Sequence, residues 1–248
     1  PDVFGFVHAE TSTGVLQPGV SDLTDIAHEH GAYTIVDCVT SLGGVEFRVD
    51  EWGVDVAYSA SQKCLSCPPG ASPLTLNDRA VEKVLDRDDA AGSWYLDLSL
   101  LEDYWGDERA YHHTAPITNV YALREALRLA AEEGIEERWA RHREVAGELR
   151  DGLRELGLEM NASDEYWLPS LNAVRVPGGV DDAAVIGRLR DEHDIEIAAG
   201  LGDLSGEVWR IGCMGYSARR ENVAYLLSAL GDALRAEGHP LEASPTLA

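Results

Sequence analysis

The chain has 248 residues, 45% of them hydrophobic, with 44 acidic against 20 basic side chains and a net charge of -24. That is enough length and apolar content for one large or two modest folded domains, and too much for a disordered acidic chain. The charge excludes nucleic acid as an expected partner, because phosphates need a basic face, and no apolar run reaches the roughly 18 residues of a membrane-spanning helix.

The acidic residues are scattered and form no tail. They read as the acid-covered surface of a halophilic protein, whose self-repulsion a salt-rich cytoplasm screens. No signal peptide is visible, so the expected location is cytoplasmic. Lys63 and Lys83 are the two lysines; the other basic residues are arginines. Cys64-Leu-Ser-Cys67 is formally a CxxC, but no second pair exists to complete a structural zinc site. Cys38, Cys64, Cys67 and Cys213 are expected as small buried apolar residues in a reducing compartment, and no metal is expected.

The sequence opens at Pro1, directly in a strand-like run from Val3 to Val7, and is read as a fragment. Ser21 to His30 predicts a helix capped by Ser21 or Asp22 and stopped by Gly31. Tyr33-Thr34-Ile35-Val36 predicts a strand ending at Asp37, Val54 to Tyr58 another, and Ser72 to Leu76 a fourth. Strand, helix, strand at this spacing implies an α/β fold with a mostly parallel sheet. From Asn119 the period becomes helical to Glu133 and again from Gly134 to Leu156, with Gly157 as stop. Short strands near Asn172–Val176, Ile195–Ala198 and Val208–Ile211 follow, with helices at Asp181–His193, capped by Asp181, and Ala218–Glu237, capped by Ser217. The tail from Gly238 is expected to fray. Residues 1–133 are expected to form the remainder of a large domain, and residues 134–248 a small α+β domain.

In a parallel sheet, ligands sit beyond the carboxyl ends of the strands. Three segments stand there: His8 to Gly14, Asp37 to Gly44, and Ser59 to Gly70. Alone, each has a plain structural reading as a cap, a turn or a solvated charge. The lysine raises the combination: one of two lysines sits in a Ser-rich, Pro-Pro-Gly loop after a buried strand. Schiff-base chemistry needs an amine, which a guanidinium cannot replace.

His8-Ala-Glu-Thr-Ser-Thr-Gly-Val-Leu-Gln-Pro18, the stretch from Asp37 to Gly44, and Ser61-Gln62-Lys63 followed by Pro68-Pro69-Gly70 resemble the alanine–glyoxylate / serine–pyruvate aminotransferase family. The resemblance continues through Tyr111-His112-His113-Thr114 and Gly200-Leu201-Gly202 to Arg210-Ile-Gly-Cys-Met-Gly215. It implies a class V, fold-type-I enzyme that uses pyridoxal 5'-phosphate (PLP). Lys63 is implied as the catalytic, cofactor-bearing lysine and Asp37 as the partner of the pyridinium nitrogen. Val39 would pack under the ring, Thr11 would donate to the O3' region, and Gln62 would bond the phosphate. Tyr111 and Thr114 resemble residues that reach the phosphate of a neighbouring subunit, implying a homodimer with a shared active site. Arg210 would bind the substrate carboxylate.

The implied activity is ping-pong transfer of an amino group from a small amino acid, such as alanine or serine, to glyoxylate or pyruvate. The family's Gly-rich phosphate cradle and ring-stacking aromatic would precede Val3 and are not in this sequence, so weak activity is expected of the chain alone. Two alternatives stay open: another class V enzyme, a lyase or cysteine desulfurase, and a catalytically incomplete fragment that folds or dimerises. Desulfurases resemble a pattern with His before the lysine, where this chain has Gln62.

Overall fold

A computed structural model describes residues 1–89 and 91–241. Three parallel strands form the centre of the first half: β1 (Val3–Val7), β4 (Tyr33–Asp37) and β5 (Val56–Tyr58). Helix α1 (Val20–Glu29) makes the crossover from β1 to β4. The β-branched run Thr34-Ile35-Val36 suits a strand buried between neighbours, and Thr34 and Val36 are wholly buried. Val36 joins Val20, Cys38, Phe47, Val54 and Ala57 in a core under the sheet. Strand β6 (Leu74–Leu76) pairs antiparallel with β5, completing the order β1-β4-β5-β6. The connection between them holds no helix, so the chain turns back beside β5 instead of crossing over. A small hairpin, β2 (Ala9–Glu10) with β3 (Val15–Leu16), follows β1. Helices α2 (Asp78–Leu85) and α3 (Leu98–Trp105), like this hairpin, have no counterpart in the sequence reading.

Helix α4 (Ile117–Glu133) meets α5 (Ile135–Glu155) at Gly134, whose φ of 89° breaks the helical path. Along α5 the residues Arg138, His142, Val145, Ala146, Leu149 and Leu153 are buried. This stripe, at spacings of three and four, is the inward face of an amphipathic helix. Beyond it lies a three-stranded antiparallel sheet in the order β7-β9-β8, from β7 (Leu171–Arg175), β8 (Ala198–Ala199) and β9 (Val208–Gly212). Helices α6 (Asp182–His193) and α7 (Arg220–Ala236) pack with α5 around Trp209, Ile211, Val174 and Leu227.

Several expected boundaries moved. Helix α1 starts at Val20, after a left-handed Gly19, with no side-chain cap; Ser21 and Asp22 lie inside its first turn. Val20 is the first buried residue of the helix, so burial set its start. Asp181 does cap α6, accepting the Ala183 and Ala184 N–H groups. Ser217 caps nothing, because Gly215–Ser217 is a turn of 3-10 helix and α7 begins at Arg220. The strand expected over Ile195–Ala198 begins only at Ala198: Asp194 is left-handed, and Ile195 N–H closes α6 on the Leu189 carbonyl. The tail beyond Leu241 lies outside the described residues.

Candidate functional site

Val7, Asp37 and Tyr58 end the three parallel strands and stand in register. The ladder runs one residue further: His8 N–H donates to the Asp37 carbonyl at 2.9 Å, and Cys38 N–H to the Tyr58 carbonyl at 3.0 Å. All three post-strand segments therefore leave the same edge of the sheet. The segment after β1 carries Thr11, that after β4 carries Val39, and that after β5 carries Gln62 and Lys63.

The half-buried Asp37 carboxylate is held at both oxygens. Oδ1 accepts from the Val39 N–H at 2.8 Å, and Oδ2 from the Tyr58 hydroxyl at 2.9 Å. The hydrogen bond to Asp37, then burial and the carboxylate charge, push the Tyr58 phenol above its ordinary pKa, so it remains a donor. Behind this turn, the buried His8 ring meets the Ser41 hydroxyl through Nδ1 at 2.9 Å and lies against Phe47 and Trp52. Burial lowers its pKa to about 4 and leaves it uncharged near neutrality.

The Lys63 loop is closed on itself. Ser61 Oγ donates to the Pro68 carbonyl at 2.7 Å, Cys67 N–H to the Ser61 carbonyl, and Ser61 N–H to the Ala71 carbonyl. Lys63 itself is half-buried, and among the described residues its amine has no hydrogen bond or ion pair. The exposed Gln62 amide and the half-buried Thr11 hydroxyl are likewise unbonded. A carboxylate fixed in orientation, a free amine and free polar groups at one sheet edge fit PLP: a carboxylate for its ring nitrogen, an amine for its aldehyde, and donors for its oxygens.

Arg210 lies on β9 opposite Ala173, hence on the same face of the small sheet. Its Nε donates to the Ala199 carbonyl at 2.8 Å, and its terminal nitrogens make no hydrogen bond among the described residues. The Thr11-to-Gly14 segment rests on that same face. Gly14 has a φ of 73°, and a Cβ there would lie 2.9 Å from the Ala173 nitrogen and 3.1 Å from its Cβ. Asn161 fixes the segment by donating to the Thr13 carbonyl at 2.8 Å. The fold thus carries the Thr11 segment from the Asp37 edge to the sheet that bears Arg210.

Tyr111 and Thr114 stand apart. Their hydroxyls bond each other at 2.9 Å, Tyr111 is 78% exposed, and neither side chain bonds the Asp37, Lys63 or Arg210 segments. His112 is buried against Trp94, stacked at 3.9 Å, and its Nε2 meets the Trp94 carbonyl. The loop connects to the Lys63 region through Asn119, which donates to the Pro69 carbonyl at 3.0 Å. All four cysteines are buried with free thiols. Burial raises Cys38 and Cys64 to about 12 and Cys213 to about 11, so these three stay protonated. No group of three His, Cys, Asp or Glu among the described residues could hold a metal ion, and no helix among them is long and apolar enough to cross a membrane.

Sequence reasoning missed Tyr58, Arg138, Arg141 and His142. Tyr58 carried a signal, as the last residue of a strand level with Asp37. Arg138 and His142 also carried one, since they fall on the apolar stripe of α5 where a solvated charge has no place.

The family model for aminotransferase class-V matches residues 1–223. The (S)-ureidoglycine–glyoxylate transaminase of Bacillus subtilis is 40% identical over 265 aligned positions, covering 100% of this chain and 64% of that protein. The alanine–glyoxylate aminotransferase of Mus musculus is 42% identical over 239 positions, covering 95% of this chain and 58% of that protein. Among solved structures, alanine–glyoxylate aminotransferase from Nostoc sp. superposes with a TM-score of 0.92 at 51% identity, covering 95% of this chain and 62% of that one. The α/β fold with a mostly parallel sheet is the fold of that neighbour. The chain spans 58–64% of the length of these relatives.

Proposed function

The chain belongs to the aminotransferase class-V family, and from that premise we propose that it carries the lysine, carboxylate and arginine of a PLP-dependent transaminase. The donor is a small amino acid such as alanine or serine, the acceptor is glyoxylate or pyruvate, and the two half-reactions alternate on one site. What supports this reading is the common sheet edge at which a doubly bonded Asp37 carboxylate and an unbonded Lys63 amine emerge.

PLP, when bound, supplies the electron sink that stabilises negative charge at the substrate Cα. Asp37 would hold the proton on its ring nitrogen, and the Val39 N–H and Tyr58 hydroxyl keep that carboxylate oriented. Lys63 Nζ would bear the cofactor's carbonyl carbon and then, as a free amine, carry the proton from the substrate Cα. Val39 would lie under the ring, Thr11 would donate near O3', and Gln62 would bond the phosphate. Arg210 has both terminal nitrogens available for a two-pronged grip on the substrate carboxylate. The exposed Tyr111–Thr114 pair suits a role toward a partner subunit's phosphate in a homodimer. The net charge of -24 suits a salt-rich environment.

A desulfurase would need a reactive thiolate. Cys38, Cys64 and Cys213 are buried and held protonated, and Cys67 is buried, which favours the transaminase.

The test is to add PLP, reduce with borohydride and map the adduct by peptide mass, with alanine and glyoxylate supplied in a parallel assay. An adduct on Lys63 that disappears in Lys63→Ala is expected. An adduct confined to Lys83, or none at saturating PLP, overturns the assignment.

A further inference from the structure

Three segments that the proposed function uses converge on one helix. Arg138, 6% exposed on α5, spreads its guanidinium over three partners. Its Nε donates to the Gly43 carbonyl at 2.9 Å, in the segment after Asp37. One terminal nitrogen donates to the Cys64 carbonyl at 2.6 Å, in the residue after Lys63. The other meets the Glu133 carboxylate at 2.6 Å. Glu133 also binds Arg141, whose remaining nitrogen donates to the Gly215 carbonyl at 3.0 Å and the Ala218 carbonyl at 2.7 Å, in the turn after Arg210.

His142 completes the set. Its Nδ1 lies 2.8 Å from the Arg138 carbonyl, and its Nε2 accepts the Gly215 N–H at 2.7 Å. A backbone N–H can only donate and a carbonyl can only accept, so the ring is neutral with its proton on Nδ1. Burial lowers its pKa to about 4 and keeps it so.

The packing is as close as the bonding. A Cβ on Gly215 would lie 2.8 Å from the Cys64 carbonyl oxygen, and one on Gly44 would lie 2.5 Å from Cys64 Sγ and 3.1 Å from His142 Cδ2. Tyr216 N–H donates to Ser66 Oγ at 2.7 Å. Gly44, Cys64, Ser66 and Gly215 belong to three segments far apart in sequence, and none has room to shift without moving the others.

We propose that the Glu133–Arg138–Arg141–His142 cluster is the positioning hub of the active site, fixing the Asp37, Lys63 and Arg210 segments against one another. This rests on the functional reading for what those segments do, but not for the coupling itself. None of the four residues touches cofactor or substrate in this scheme. The α4–α5 bend at Gly134 brings Glu133 back over the first turns of α5 to join both arginines. A hub of charged, multiply bonded groups holds direction as well as distance, which an apolar contact does not.

The experiment is backbone hydrogen exchange on the 248-residue chain without PLP, comparing it with Arg138→Lys. An ammonium keeps the charge but cannot span three partners in one plane. Exchange in residues 38–45, 61–67 and 212–218 is expected to quicken together by about tenfold or more, the scale of one lost charge-assisted bond. Exchange in β7 and α6 should hold steady. Arg150→Lys is the control: Arg150 is 4% exposed on the same helix but bonds the Ala162 carbonyl and Asp164, and its loss should leave all three segments unchanged.

PLP binding, followed by its visible absorbance and induced circular dichroism, should weaken about tenfold in Arg138→Lys, with the adduct still on Lys63. Quickening in only one of the three segments, or the same pattern from Arg150→Lys, overturns the proposal. If Arg138→Lys does not fold, Glu133→Gln gives the same reading; failure of both to fold also overturns it, because the cluster then holds the fold and not the site. If the unsubstituted chain forms no adduct at Lys63, the functional reading fails, while the exchange pattern still decides the hub.

Discussion

The Tyr58 hydroxyl donates to Oδ2 of Asp37 across 2.9 Å, joining the last residues of two adjacent parallel strands. With the Val39 N–H on Oδ1, it holds the carboxylate aimed along the sheet edge. Tyr58→Phe is expected to slow the alanine half-reaction by about tenfold, the worth of one hydrogen bond to a charged group. Asp37→Asn should keep some cofactor but lose far more rate, since an amide does not hold the ring-nitrogen proton. Absorbance changes of the PLP-loaded chain on adding alanine measure both. A Tyr58→Phe rate equal to the unsubstituted one would remove Tyr58 from the site.

Much of this site was legible because strand ends in a parallel sheet share an edge. Once Val3–Val7, Tyr33–Asp37 and Val54–Tyr58 are read as strands, the segments bearing Thr11, Asp37 and Lys63 must emerge together. The meeting of the Thr11 segment with the sheet of Arg210 was not legible, because Gly14 against Ala173 is a contact between residues far apart in sequence. Arg138 falls on the apolar stripe of α5, but Glu136, Glu137, Arg141 and Arg143 around it mask that signal, because among so many charges one more arginine reads as solvated. The helices over 78–105 escaped because they are short and expose much apolar surface, including Leu85, Trp94 and Trp105, which blurs their periodicity.

Acid should weaken the fold before the carboxylates titrate. His8 and His142 are held neutral in the fold, each lowered by burial from 6.5 to about 4. Above pH 6.5 both states are neutral and stability is whole. Between 6.5 and 4 the unfolded chain binds protons that the folded chain refuses, so stability falls with pH, by up to roughly 3 kcal/mol per ring. Urea unfolding at pH 7, 6 and 5 should show the decline, and His142→Gln should remove its share and leave that of His8. Equal midpoints at pH 7 and 5 would contradict the assigned neutral rings.

Asp55 should matter for stability and not for the site. It is wholly buried where β4 and β5 begin, at the opposite edge from Asp37. It accepts from Thr34 N–H and hydroxyl, His28, Asn77 and Arg79. Burial would raise its pKa, but the Thr34, His28 and Asn77 bonds and the Arg79 charge outweigh this and hold it at about 2. Its contribution is therefore complete above 3.8 and lost only as pH falls through 2. Asp55→Ala leaves the buried Thr34 donors without their acceptor and takes from Arg79 and Asn77 their charged partner, and should cost about 3–5 kcal/mol at pH 7. Denaturant midpoints measure the loss, and PLP should still reach Lys63 in the folded fraction. A loss under ~1 kcal/mol would show that water replaces the carboxylate there.

Salt should stabilise the protein, and the two opposing effects can be weighed. Added salt screens surface ion pairs such as Arg128 with Glu125 and Glu132, or Arg190 with Asp191, which contribute at most about 1 kcal/mol each. It also screens the repulsion among acidic side chains, of which there are 44 against 20 basic ones. If every basic group were paired, 24 negative charges would remain without a partner. Repulsion extends over all of them at low salt, where the screening length is ~10 Å at 0.1 M, and shrinks to near neighbours at ~3 Å in 1 M. Closely bonded pairs keep much of their contact attraction at that range, while distant repulsion vanishes. The Glu133–Arg138 pair, buried on the arginine side and half-buried on the carboxylate side, is screened less than the surface pairs. Repulsion therefore dominates, and Tm should rise steadily from low to molar potassium chloride. Potassium chloride is the salt to use, because sulfate would also strengthen apolar burial and confuse the cause. A Tm that is flat or falling over this range would reject the salt-adapted reading and mean that ion pairs, not excess charge, set the electrostatics of the surface.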